Sequence, residues 1–130
     1  NQLLELCQQE KIELIALAGF MNLLSSSFLE KVKIPVLNIH PALLPKYGGK
    51  GMYGMNVHNA VFASDDKVSG VTVHLVDPQY ENGPIIAQVK VDISDCKSPE
   101  EIAAKVLEIE HQTYAPVIYQ FLCKYYAPEK

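Results

Sequence analysis

The first half of the chain has the hydrophobic pattern of a helix followed by a β-α-β unit. Residues 1–10 carry leucines that can share one face of a helix. Residues 12–18 form an almost continuous apolar run, IELIALA, of the kind found in parallel strands that are buried on both faces. A short helix over residues 25–31 and a second buried strand over residues 34–39 complete the predicted unit.

The second half predicts a helix and then a pair of strands. Residues 55–64 are expected to form a helix after a loop that is rich in glycine and proline. Along residues 71–76 the side chains alternate with the period of a strand, and residues 85–91 form the next strand after a polar turn. These two strands predict an antiparallel hairpin with a long loop.

The final helix has the clearest start signal in the chain. Ser98 is suited to the N-cap, Pro99 to the first helical position, and Glu101 completes a capping box. Pro116 must kink or end this helix, which then resumes toward Tyr126. The element order predicts a single α/β domain over the whole chain, with a mainly parallel twisted sheet and an antiparallel hairpin at one edge.

Composition narrows the class of protein. The chain has 130 residues, 48% of them hydrophobic, which suits one domain with one core. A formal net charge of −4 disfavours nucleic acid and anionic membranes as partners, so a small-molecule ligand is expected. The three cysteines form no CxxC pair, and the four histidines show no short-spaced ligand pattern. We therefore predict a cytoplasmic protein with reduced thiols and no catalytic metal.

The loop after the second strand is the best candidate for a site, because ligands of open α/β sheets bind at the carboxyl ends of the strands. Asn38 and His40 lie two residues apart there, on the same side of an extended chain. An amide N–H and a protonated imidazole can stabilise the oxyanion that forms when an amine attacks a carbonyl, and the imidazole can also transfer the proton. From these two residues alone, ordinary loop residues that bond the backbone are an equal alternative.

A longer and more specific run surrounds this pair. Residues 38–47 read NIHPALLPKY and are followed by several glycines. Leu17–Met21 upstream, and Gly70–Ile86 and Glu110 downstream, fall in the same register. The chain thereby resembles the folate-dependent formyltransferases, in particular their purine-pathway branch, over nearly its whole length. The resemblance implies a three-layer fold and the transfer of a formyl group from 10-formyltetrahydrofolate to the amine of glycinamide ribonucleotide.

The same resemblance implies roles for individual residues. Asn38 and His40 would be the catalytic pair, with Glu81 tuning the imidazole. The folate would lie in a pocket lined by Met21, Asn22, Leu23, Leu24, Asn38, Val76, Asp77 and Tyr80. The ribonucleotide would contact three further residues, of which the last offers a carboxylate to the ribose hydroxyls: Gly19, Pro41 and Glu110.

Three of the implied roles have a plain structural alternative. The family usually has an aspartate where this chain has Glu81, and a misplacement of about 1 Å can cost on the order of 100-fold in rate. Asp77 is the substitute to test, and a solvated turn residue is the alternative for Glu81. His74 resembles a family histidine near the site but could equally be satisfied by a neighbour in the sheet. Glu110 could be an exposed helix residue.

The start of the chain also differs from the family pattern. Family members begin with a strand and a glycine-rich turn that holds the substrate phosphate, and no such segment opens this sequence. We therefore expect a partial domain whose uncovered sheet edge favours a homo-oligomer or aggregation. Two rival functions stay open: a related formyl transferase or hydrolase with another acceptor, and a non-catalytic folate-binding module.

Overall fold

The computed structural model describes residues 2–18, 25–49, 51–76 and 84–126, and for residue 26 the backbone alone. Within these ranges the chain forms four helices and four strands. In chain order they are α1 (Gln2–Gln9), β1 (Ile15–Ala18), α2 (Ser26–Val32), β2 (Val36–His40), α3 (Met55–Ser64), β3 (Val68–Leu75), β4 (Ile85–Asp92) and α4 (Pro99–Tyr125).

The four strands form one mixed sheet in the order β1-β2-β3-β4. Strands β1 and β2 are parallel, with Ile15 opposite Val36, which confirms the predicted β-α-β unit. The pair β3/β4 is antiparallel, which confirms the predicted hairpin. The pair β2/β3 is antiparallel as well, so the described part of the sheet is mixed, with one parallel pair, where the sequence predicted mainly parallel strands. The β3/β4 register shifts between Val73 and His74, and such a bulge re-aims side chains locally.

Helices pack on both faces of this sheet, so the domain has the three layers that the resemblance implied. Along β2, Val36 belongs to a core cluster with the helices α1 and α2. Ile39 belongs to the other cluster, with α3 and α4. Because successive side chains of a strand point to opposite faces, the odd separation of these two residues places the clusters on opposite sides.

Strand β1 starts three residues later than the apolar run predicts. The N–H of Ile12 donates to the carbonyl of Cys7 at 3.0 Å, and Lys11 has a positive φ of 52°. Both features end helix α1, so these residues serve as its C-terminal cap instead of joining the sheet. Ile12 is accordingly 40% exposed.

Helix α4 is a single helix from Pro99 to Tyr125, with Pro116 inside it. The Ser98 hydroxyl accepts from the Glu101 N–H at 3.2 Å, which confirms the predicted N-cap. A proline removes one backbone hydrogen bond, and contacts to the sheet on the same turns offset that loss. In particular, the Tyr114 hydroxyl lies 2.7 Å from the carbonyl oxygen of Leu17 and 3.2 Å from that of Leu37.

Candidate active site

The amide of Asn38 is held by an imidazole from the neighbouring strand. Asn38 on β2 lies opposite His74 on β3, and their side chains meet at 3.2 Å between Nδ2 and Nε2. His74 Nδ1 lies 3.0 Å from the Leu75 carbonyl oxygen, which can only accept, so Nδ1 carries the proton. In a neutral imidazole Nε2 is then the acceptor, and the Asn38 amide donates to it.

Both members of this pair are buried, since Asn38 is 2% exposed and His74 is fully buried. Burial lowers the pKa of His74, which keeps the imidazole in the neutral form that the hydrogen bonds require. The Asn38 Oδ1 is also buried and has no hydrogen-bond partner among the described residues. Buried acceptors of this kind are uncommon, so the oxygen is available to a bound molecule.

His40 is oriented by the loop that follows it. Its Nε2 donates to the Tyr47 carbonyl oxygen at 2.8 Å, so in the neutral form Nδ1 is the basic nitrogen. The side chain is half-buried and points to the same face of the sheet as Asn38 and Thr72, its partner in register. Burial lowers the pKa of His40, the bond to Tyr47 raises it, and nearby His74 lowers it further.

A third imidazole, that of His58, lies close to His40. His58 on α3 is 7% exposed, and its Nδ1 has no partner within the described residues. Burial and the proximity of His40 both lower the pKa of His58. The sequence pattern gave no sign of this residue, because an isolated histidine inside an amphipathic helix has no distinguishing spacing.

The loop between β2 and α3 is fastened to the hairpin beneath it. The Thr72 hydroxyl donates to the Ala42 carbonyl at 2.7 Å and accepts from the Leu44 N–H at 3.1 Å. Gln88 on β4 adds a bond of 2.8 Å from its Nε2 to the Leu44 carbonyl. The Leu44–Pro45 peptide bond is cis. Thr72 and Gln88 therefore hold the loop of the candidate site in place. The sequence did not indicate this role, because it depends on the strand register.

The structure describes only part of the predicted site. Val76 is half-buried and its N–H donates to the Val36 carbonyl at 2.8 Å, which extends the β2/β3 pairing. Pro41 is half-buried directly after His40, and Glu110 is half-buried on α4, where burial raises its pKa. The role of Glu110 and its alternative as an ordinary helix residue both stay predictions. The other predicted residues lie outside the described ranges: Gly19, Met21, Asn22, Leu23, Leu24, Asp77, Tyr80 and Glu81.

The three lowered histidine pKa values make the stability of the domain dependent on pH. An unfolded chain binds protons near pH 6.5 at His40, His58 and His74, whereas the folded chain binds them only at lower pH. The free energy of unfolding should therefore fall as the pH drops from 7.5 toward 6, by up to about 1.4 kcal/mol per pH unit for each histidine. Glu110, whose pKa is raised, acts in the opposite direction at lower pH.

Urea unfolding at a series of pH values measures this slope, and His58→Gln should make it shallower. If the free energy of unfolding changes with pH equally in the chain and in the variant between pH 7.5 and 6, His58 has the same pKa in the folded and the unfolded state, which would contradict this prediction.

The fold and the loop together define an α/β domain of the formyl transferase class. The chain belongs to the family described as formyl transferase, which matches residues 1–118. It is 41% identical over 122 residues to the chloroplastic phosphoribosylglycinamide formyltransferase of Vigna unguiculata, covering 94% of the chain and 39% of that protein. With the phosphoribosylglycinamide formyltransferase of Bacillus subtilis it shares 38% identity over 92% of the chain and 59% of that protein.

Solved structures agree with this family assignment. Glycinamide ribonucleotide transformylase 1 from Geobacillus kaustophilus superposes with a TM-score of 0.81 at 32% identity, over 93% of this chain and 62% of that one. Phosphoribosylglycinamide formyltransferase from Brucella melitensis gives 0.78 at 36% identity, over 99% and 62%. The chain thus spans about 40 to 60% of the length of these relatives.

None of the helices in the described ranges combines the length and apolar content that a bilayer span requires. Those ranges also hold no group of three or more His, Cys, Asp or Glu side chains that could bind a metal ion.

Proposed function

We propose that this chain carries the reaction centre of a phosphoribosylglycinamide formyltransferase, which moves a formyl group from 10-formyltetrahydrofolate to the amine of glycinamide ribonucleotide. The observation that supports it best is the fixed amide of Asn38. One of its N–H groups is bound to neutral His74, so the second is pre-oriented and has no acceptor among the described residues. A pre-oriented donor is what a developing oxyanion requires.

The reaction uses these groups in a simple order. The substrate amine attacks the formyl carbon and forms a C–N bond, while the carbonyl oxygen becomes an oxyanion that accepts from the Asn38 amide. His40 Nδ1 takes the proton from the attacking nitrogen, and the resulting imidazolium adds positive charge near the oxyanion. The bond to the folate nitrogen then breaks, and the same proton passes from His40 to that nitrogen. The amide oxygen of Asn38 can accept an N–H of the incoming amine.

The lowered pKa of His40 suits this role, because an imidazole that is neutral at pH 7 can act as the base. A carboxylate beside it would stabilise the imidazolium that forms when Nδ1 takes the proton. We propose Glu81, or Asp77 in its place, as that carboxylate. The folate pocket and the contact of Glu110 with the ribose hydroxyls belong to the same proposal.

Two measurements on the polypeptide that carries this chain test the function. Formyl transfer to glycinamide ribonucleotide is expected in an assay that follows release of tetrahydrofolate, and calorimetry is expected to show binding of both the folate and the ribonucleotide. Folate binding without ribonucleotide binding or turnover would select the non-catalytic binding module. Folate hydrolysis, or transfer to another amine alone, would select a different branch of the family.

We propose a cytoplasmic location for the protein. The relative from Vigna unguiculata is described as chloroplastic, so the compartment differs among members of this family.

A further inference from the structure

The side chain of Tyr47 is anchored at its far end. Its ring packs against the core cluster between the sheet and helices α3 and α4. Its hydroxyl donates to the Asp66 carboxylate and lies 2.5 Å from the Ser64 Oγ. Ser64 is the last residue of α3, and Asp66 lies in the turn that leads to β3. Tyr47 therefore ties the β2–α3 loop to the end of the following helix.

The hydroxyl groups of Tyr47 and Ser64 form more contacts than they have protons to donate. Ser64 Oγ also lies 2.7 Å from the Val61 carbonyl, so three hydroxyl contacts share two hydroxyl protons. The carboxylate and the carbonyl can only accept, so the Tyr47 proton goes to Asp66 and the Ser64 proton is shared between Val61 and Tyr47. Consistent with this direction, the bond from Tyr47 is the largest of the effects that lower the pKa of Asp66.

The backbone of Tyr47 is held in an uncommon conformation. Its φ of 58° lies in the left-handed region, which residues with a side chain seldom adopt unless their surroundings enforce it. In this conformation the Tyr47 carbonyl accepts a hydrogen bond from His40 Nε2 at 2.8 Å. On the other side of the same loop, Thr72 holds Ala42 and Leu44. The segment that presents this carbonyl is thus fastened at both ends.

We propose that Tyr47, anchored through its hydroxyl by Ser64 and Asp66, is a positioning residue that fixes the ring and the tautomer of His40. The anchored carbonyl keeps the neutral proton on Nε2 and leaves Nδ1 unprotonated toward the reacting groups. The importance of this tautomer for turnover rests on the proposed function, because Nδ1 is there the base. The tautomer itself is a property of the chain and can be measured without substrate.

Nitrogen-15 NMR of the imidazole groups, recorded above pH 7.5, measures the tautomer of His40 directly. We expect the Nε2–H form in the unmodified chain. In Tyr47→Phe the ring keeps its packing but loses its anchor, so the ratio of the Nε2–H to the Nδ1–H form should fall roughly tenfold, which corresponds to the loss of about one hydrogen bond. Asp66→Asn should give a smaller change in the same direction, because an amide is a weaker acceptor than a carboxylate.

Tyr53→Phe is the matched control, since it makes the same chemical change at an exposed tyrosine within the same loop. The proposal is overturned if His40 shows the same tautomer ratio in Tyr47→Phe, Asp66→Asn and Tyr53→Phe. Should Tyr47→Phe fail to fold, the tautomer ratio of His40 is measured in Asp66→Asn and Ser64→Ala, and an unchanged ratio in both variants overturns the proposal.

Turnover assays separate this proposal from the proposed function. A changed tautomer with a roughly tenfold lower kcat and an unchanged KM supports both. A changed tautomer in a protein that shows no formyl transfer in any variant supports the positioning of His40 and contradicts the proposed function.

Discussion

Replacing Asn38 with alanine is expected to lower kcat for formyl transfer by about 10²–10³, because in the proposed reaction it removes a pre-oriented donor to the developing oxyanion. The effect should fall on kcat more than on KM, since the donor acts chiefly on charge that exists in the transition state. The measurement is steady-state kinetics of the polypeptide that carries this chain. Asn59→Ala is the matched control, because Asn59 is exposed on α3 and should leave both constants unchanged.

Asn38→Asp sharpens the same test. Aspartate keeps the size of the side chain but places a negative oxygen where the amide donor stood, opposite the oxyanion. It would also face His74 Nε2 and favour protonation of that imidazole. We therefore expect Asn38→Asp to be at least as impaired in turnover as Asn38→Ala, and its free energy of unfolding to be lower than that of the parent chain because the carboxylate is buried. Retention of most of the activity in either folded variant would contradict the assignment of Asn38 as the oxyanion donor.

The placement of Asn38 and His40 could be predicted from sequence because it depends on local geometry alone. Two residues of one strand that are separated by one position share a face, and the apolar run before them identified that strand. The Ser98 N-cap was predictable for the same reason, since the capping box spans only four consecutive residues. Signals that span only a few consecutive residues do not depend on how the rest of the chain packs.

The partners of Asn38 and of the loop after His40 could not be predicted, because they come from distant parts of the chain. His74 reaches Asn38 only through the antiparallel β2/β3 register, which separates the two residues by 36 positions. Thr72 and Gln88 bond the loop through the β3/β4 register in the same way. Composition and periodicity predict that strands exist, whereas register follows from how the whole sheet packs. The alternative that His74 is satisfied by a neighbour in the sheet therefore turns out to be compatible with a role at the site.

The continuity of α4 through Pro116 illustrates the same limit. Local chemistry predicts an interruption at a proline, but the bonds from Tyr114 to the first two strands and the packing of Val117 hold the helix on both sides of it. Tertiary contacts of this size can outweigh the loss of one backbone bond. That the helix does not end at Pro116 could not be read from local sequence, because those contacts cross about 80 to 100 positions of the chain.

The close packing of β3, β4 and the loop after β2 requires a glycine at position 70 on β3. A Cβ at this position would lie 2.2 Å from the Val89 carbonyl oxygen and 2.6 Å from the Leu43 Cδ2. Neither neighbour can yield without consequence, because Val89 belongs to the β3/β4 ladder and Leu43 lies in the loop that Thr72 fastens. Gly70→Ala should therefore lower the free energy of unfolding by roughly 3 kcal/mol, at the upper end of the usual cost of overpacking.

Urea unfolding of Gly70→Ala measures this loss, and Ser69→Ala is the control on the adjacent residue. Ser69 has a buried hydroxyl with no partner among the described residues, so its removal should cost nothing and gain up to about 1 kcal/mol. Adding Leu43→Ala to Gly70→Ala should recover only part of the stability, because the shorter side chain relieves the contact with the loop but leaves the contact with the Val89 carbonyl. Full recovery of stability in the double variant would mean that the contact with the loop alone requires the glycine. An unchanged unfolding midpoint for Gly70→Ala would contradict the close approach of β3, β4 and the loop, on which the geometry of His40 depends.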